Sequence, residues 1–189
     1  QIKNFSEQEI KALNQLAAER GVIVARDQDM DMDEQAAFAH RLGTPLNSPV
    51  NKKDIPPELL VIKANENSKR VAGQGWHSDV SSDAEPPGLS MLRMEVVPES
   101  GGDTLFASTA AAYDALPQEL KDRLEGCRTI HSYEAKHARR AQEGKSNRKP
   151  ITEAQRNALP PVRHPVIRRH PVTGVRCIYV VAGECVGID

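Results

Sequence analysis

Prolines and glycines cut this chain into short pieces: 13 Pro and 12 Gly lie among 189 residues. Past Gly43 the apolar runs are brief and end in turn residues. They are Leu59 to Ala64, Leu89 to Val97, Asp103 to Ala107, Cys127 to Tyr133, Pro165 to Arg169 and Val175 to Val181. Runs of that length between turns read as strands. Pro98 to Gly102 makes one turn, and His170-Pro171-Val172-Thr173-Gly174 makes another. No apolar run approaches membrane-spanning length.

Helices are expected mainly at the start. Ser6-Glu7-Gln8-Glu9 is a capping box, followed by Ile10, Leu13, Leu16 and Ala17 at helical spacing and closed by Gly21. Val22 to Ala25 reads as a buried strand. Asp31 with Glu34 opens a second helix that carries Ala37, Phe38 and Leu42 and ends at Gly43. Ile10 and Phe38 are core positions. Ser108 caps a third helix through Tyr113 and Leu116, and Pro117 opens a fourth that ends near Gly126. Residues 134–149 hold six Lys/Arg against two Glu with no apolar periodicity. They are expected to be a mobile lid or a plain surface loop. The fold class expected is α+β, mainly β: a jelly-roll double sheet with helical buttresses, in one domain over 1–189.

Charge and cysteines narrow the function. Lys+Arg is 25 against Asp+Glu 26, a net charge of −1, which does not point to a general nucleic-acid binder. Cys127, Cys177 and Cys185 are scattered without a C-x-x-C pair, unlike a zinc knuckle or a disulfide framework. A reducing, cytoplasmic compartment is expected. The first residues, Gln1-Ile2-Lys3-Asn4, have no signal-peptide core and no initiator methionine. The chain is therefore expected to be a fragment or the ordered part of a longer one.

Gly75-Trp76-His77-Ser78-Asp79-Val80 carries the chemistry. On a strand, His77 and Asp79 would point to the same face. An imidazole and a carboxylate joined by one more histidine form the facial triad that holds non-haem Fe(II) and leaves positions open. The plainer alternative is a solvated loop pair.

Three segments in order resemble the taurine dioxygenase-like (TauD/TfdA) family of Fe(II)/2-oxoglutarate-dependent dioxygenases. The first is Trp76-His77-Ser78-Asp79-Val80 with Pro86-Pro87. The second runs from Val97 to Ser108 through Gly101-Gly102-Asp103-Thr104, followed by Ala112-Tyr113. The third is His164 to Gly174. The resemblance implies a double-stranded β-helix, His77 and Asp79 as iron ligands, and Thr104 against the carboxylate of 2-oxoglutarate. Asp103 is read as a turn residue. In the family, Fe(II) and 2-oxoglutarate react with O2, releasing succinate and CO2 while a C–H bond of a small organic substrate is oxidised. Asp79 favours hydroxylation or oxidative cleavage over the halogenation of related enzymes that lack this carboxylate.

The chain departs from the family in one respect. The family draws a third iron-ligating histidine from a later Trp-Asp-Asn-Arg-type segment, and an arginine for the cosubstrate follows; neither precedes Asp189. The chain is therefore expected to lack part of its active site and to turn over little 2-oxoglutarate alone. His131 is expected to be a satisfied core histidine and His164 and His170 to be structural. His40 and His137 are expected to be solvated, on a helix and a polar loop. At the places where taurine-specific members contact substrate stand Ser48, Asn51 and Gly73, which argues against taurine. No nucleic-acid or membrane partner is expected, and a homo-oligomer is possible. Two rival readings are a jelly-roll binding module in which His77 and Asp79 are incidental, and a zinc hydrolase.

Overall fold

A computed structural model of the chain describes residues 1–47, 53–68, 73, 75–142 and 150–189. It is α+β with antiparallel sheets. The chain forms two compact units: residues 1–62 with 89–107, and residues 63–88 with 108–189. Among the described residues no helix is long and apolar enough to cross a membrane.

The first unit starts with a 3-10 turn, Ile2–Asn4, then helices α1 (Glu7–Arg20) and α2 (Met32–Leu42). Both capping boxes form: Ser6 accepts from the Glu9 amide and Asp31 from that of Glu34, while each glutamate reaches back to its cap. Ile10, Met30 and Phe38 are buried together, with Ile2, Phe5, Leu13, Leu42 and Met91 against them. Each such side chain stabilises the fold by about 1.5–3 kcal/mol. Arg41 pairs with Glu7 at 2.8 Å and donates to the carbonyls of Lys3 and Phe5. Segment 89–97 docks on α2 through Arg93, whose Nε donates to Gln35 Oε1 at 2.9 Å and whose Nη1 donates to the Met30 carbonyl.

In the second unit, α3 (Thr109–Asp114) is capped by Ser108 and α4 (Gln118–Leu124) follows Pro117. Then come β1 (Arg128–His131), α5 (Tyr133–Gln142), α6 (Glu153–Ala158), β2 (Val162–Pro165), β3 (Ile167–Arg169), β4 (Arg176–Ile178) and β5 (Cys185–Ile188). β1 lies between β2 and β5, antiparallel to both; Thr129 faces His164, and a register shift falls between Ile130 and His131. β3 and β4 form a hairpin, Ile167 opposite Ile178. Its turn ends at Gly174, whose φ of 70° suits glycine.

Several expected strands are corrected. Residues 22–25, 59–64, 76–80, 89–97 and 103–107 form no ladder among the described residues. Alternation does appear in 89–97: Met91 and Arg93 face inward while Leu92 and Met94 are exposed. Alternation orients side chains, but a strand also needs a partner for its backbone groups. In 76–80 the chain enters a turn at Asp79, and Val80 has φ 49°.

The loop expected over 134–149 is also corrected. Its first part is α5, started by Ser132, whose Oγ accepts from the Ala135 amide at 3.1 Å. The residues are good helix formers, but the contacts that hold them are polar: Lys136 reaches Glu184 and Arg139 donates to the Ala182 carbonyl. An apolar-stripe search misses such a helix. Pinned this way, residues 134–142 do not fit a mobile lid, and His137 sits on a helix rather than a loop. Residues 143–149 lie outside the described residues. Helix α6, with its Thr152–Gln155 capping box, and strand β5 were not anticipated.

Candidate metal site

His77 and Asp79 meet without a strand to carry them. Gly75, at φ 97°, adopts a backbone open to glycine and turns its carbonyl toward the His77 ring, 2.9 Å from Nδ1. A carbonyl only accepts, so this contact puts the proton on Nδ1 and leaves the Nε2 lone pair free to bind. Nε2 lies 3.3 Å from Asp79 Oδ1. Both side chains are about half exposed, 46% and 49%.

The chain then turns sharply. Val80 at φ 49° is a β-branched residue in the left-handed region, a conformation that costs about 1–3 kcal/mol and persists only where the surroundings impose it. The imposing contacts are visible. The Asp83 amide donates to the Val80 carbonyl at 3.0 Å. Ser81 is fully buried, and its Oγ lies 2.9 Å from His131 Nδ1. His164 Nε2 donates to the carbonyls of Ser81 and Asp83, each at 3.0 Å. His131 and His164 come from the adjacent strands β1 and β2.

Behind them stands Tyr179. Its ring stacks on His131 at 5.5 Å and meets His164 edge-on at 5.1 Å; Arg168 covers it, 4.5 Å from the centroid. Burial, and then the nearby His164, push the His131 pKa below the ordinary imidazole value. Burial pushes the Tyr179 phenol up. Burial raises the Glu184 carboxyl, but Lys136 together with the hydroxyls of Ser81 and Ser82 holds it below its ordinary value. His131 and His164 are buried, and His164 is structural as expected; His131 is a core histidine but not the fully satisfied one expected, because its Nε2 has no partner among the described residues. His170 is structural too, its Nδ1 accepting from the amides of Val172 and Thr173 at 3.3 Å. His40 pairs with Glu58 at 2.8 Å.

Thr104 lies in the other unit, exposed in a segment without ladder partners. Gly73 has φ 86°; Ser48 and Asn51 lie outside the described residues. Ser81 was missed by sequence reasoning. Fifty residues separate it from His131 and 83 from His164, and no local pattern joins them.

The His77–Asp79 pair fits a divalent cation. With Nδ1 protonated, Nε2 and Oδ1 are two acceptors facing each other, an arrangement that a shared cation or proton stabilises. Donor atoms at right angles on an octahedral ion, with bonds of about 2.1 Å, sit about 3.0 Å apart; the pair is at 3.3 Å. The hydrogen bond from the far ring nitrogen to a carbonyl is the usual support of a metal-binding histidine. Among the described residues no third His, Cys, Asp or Glu joins them in a metal-binding group.

The chain is 37% identical over 192 residues to the alpha-ketoglutarate-dependent 2,4-dichlorophenoxyacetate dioxygenase of Cupriavidus pinatubonensis, covering 92% of this chain and 64% of that protein. The chain thus spans just under two thirds of that relative's length. Among solved structures, a taurine dioxygenase from Burkholderia xenovorans matches with TM-score 0.70 and 26% identity, over 98% of this chain and 58% of that one. AAD-2, solved with Mn(II) and N-oxalylglycine, matches with TM-score 0.72 and 25% identity, over 97% and 63%. The sequence model of the family described as "Taurine catabolism dioxygenase TauD, TfdA family" matches residues 1–186. The chain belongs to the TauD/TfdA family.

Proposed function

We propose that the protein is an Fe(II)- and 2-oxoglutarate-dependent dioxygenase that oxidises a small organic substrate, and that its antiparallel strands belong to a double-stranded β-helix. The observation that carries this reading is the His77–Asp79 pair: two facing acceptors 3.3 Å apart, with the imidazole tautomer fixed by the Gly75 carbonyl. Iron, when bound, supplies the activation of O2 by which 2-oxoglutarate is decarboxylated and the substrate oxidised.

The residues of the chain bind and orient. His77 and Asp79 would hold the metal through Nε2 and Oδ1. The carboxylate of Asp79 would offset part of the ion's charge; related halogenases lack this carboxylate, so its presence favours hydroxylation or oxidative cleavage. Thr104 donates its hydroxyl to a carboxylate of 2-oxoglutarate. The relatives carry names that refer to 2,4-dichlorophenoxyacetate and taurine; a small organic acid is the class we assign here. Ser48, Asn51 and Gly73 supply neither imidazole nor phenol for a sulfonate, so taurine itself is not the substrate expected.

The test is succinate release coupled to substrate in the whole protein. His77→Ala should abolish it. Near-normal turnover in that variant would reject the assignment.

A further inference from the structure

We propose that His131 and His164 are positioning residues that fix the 77–83 loop, and through it the mutual placement of His77 and Asp79. The inference rests on the metal-site reading above. The two histidines come from the neighbouring strands β1 and β2 and grip the loop by different atoms. His131 uses Nδ1, on the Ser81 hydroxyl at 2.9 Å. His164 uses Nε2, on the carbonyls of Ser81 and Asp83 at 3.0 Å each. Ser81 and His131 are completely buried and His164 nearly so, so the grip is shielded from water and each lost contact strands a buried polar group.

Two features show that this loop needs holding. Val80 keeps a left-handed backbone that a β-branched residue does not choose by itself. Asp79 precedes it directly, and the pair it forms with His77 is half exposed, so packing around the pair itself does not fix that geometry. The sheet beneath provides the rigidity: Thr129, directly opposite His164 in register and two residues before His131 on the same strand, shares its hydroxyl proton between the carbonyls of His164 and Tyr179 at 3.1 and 3.3 Å. Tyr179 wedges the rings, stacked on one and edge-on to the other.

The different atoms used by the two rings make a specific test. An asparagine amide reaches where Nδ1 of a histidine sits, and a glutamine amide reaches where Nε2 sits. His131→Asn and His164→Gln therefore retain the grip, while the exchanged pair, His131→Gln and His164→Asn, does not. His131→Asn also sacrifices nothing at Nε2, which has no partner among the described residues. His131→Leu and Ser81→Ala remove the contact through the Ser81 hydroxyl, and His164→Leu removes the two carbonyl contacts; Ser81→Ala deletes a single oxygen and keeps the protein folded if the larger changes do not.

Two readouts are taken on the whole protein: amide hydrogen exchange of residues 77–83 without metal, and the dissociation constant for Mn(II) alone. The three removing variants should speed exchange in 77–83 by about tenfold, equivalent to about 1.4 kcal/mol, and weaken Mn(II) by a similar factor. His131→Asn and His164→Gln should return both to within about threefold of the parent; the exchanged amides should not. Unchanged exchange in 77–83, a rise no larger than that in the strands beneath, or equal rescue by both amide pairs would overturn the proposal. His77→Ala is the control for the underlying site. If Mn(II) binding survives it, the metal reading fails by itself, and the exchange measurement still decides whether the two histidines fix the loop.

Discussion

The two units of this chain are held by opposite chemistries. The first buries Ile10, Met30 and Phe38 between capped amphipathic helices. In the second, the largest fully buried side chains are His131, Glu184, Val166, Thr129 and Ser81, four of them polar. An apolar core tolerates exchange among side chains of similar volume. A polar core needs each donor matched to one acceptor, and in return it fixes a backbone turn that hydrophobic burial cannot orient. The candidate metal pair lies in the unit with the polar core.

The largest test of that contrast is Phe38→Ala. It should cost about 3–5 kcal/mol in chemical denaturation, as expected for emptying a well-packed aromatic site. Phe38→Leu should recover much of it, since the site asks only for volume. A polar core should show no such tolerance. Lys136→Met leaves Glu184, 2% exposed, without its cation. It should cost about 3 kcal/mol, the lower end for breaking a buried pair because Lys136 itself is a quarter exposed. A loss below about 1 kcal/mol would mean that the pair behaves like a surface bridge.

A smaller effect is expected from pH. Burial and His164 depress the pKa of folded His131, so as pH falls the unfolded chain takes up this proton first. The stability from a neutral His131 is complete above about pH 6.5 and is lost as pH falls from there toward the lower folded pKa. The groups around the ring are His164, Tyr179, Ser81 and Glu184. His131→Asn removes the titration while keeping the Ser81 contact, and should flatten the urea midpoint against pH below about 6.5. An unaltered slope would place the titration elsewhere. The smallest effect is at the surface of the first unit: Ser6→Ala should cost about 1 kcal/mol of stability through the lost cap and leave the Mn(II) constant unchanged.

The legibility of the chain follows the same division. α1 and α2 were readable because Ser6–Glu9 and Asp31–Glu34 are local patterns and Ile10 and Phe38 are apolar in phase. β1 and the β3–β4 hairpin were readable from turn residues such as Gly174. The 89–97 segment was readable as alternation but not as unpaired backbone, because pairing is decided by residues far away in sequence. α5 escaped because its anchors, Glu184 and the Ala182 carbonyl, lie more than 40 residues later. His77 and Asp79 were found by motif and resemblance. Their support was not, since the link from Ser81 to His131 and His164 exists only in three dimensions. The strand geometry expected to align the pair is absent; a turn imposed by those histidines stands in its place.

The activity proposed for this chain requires above all that His77 and Asp79 bind one metal ion. The direct measurement is an anaerobic Fe(II) titration of the whole protein with 2-oxoglutarate, followed in the visible range. A weak metal-to-ligand charge-transfer band should develop in the parent and be absent in His77→Ala and Asp79→Ala. No band in the parent, or a band of equal strength in the two variants, would contradict the account.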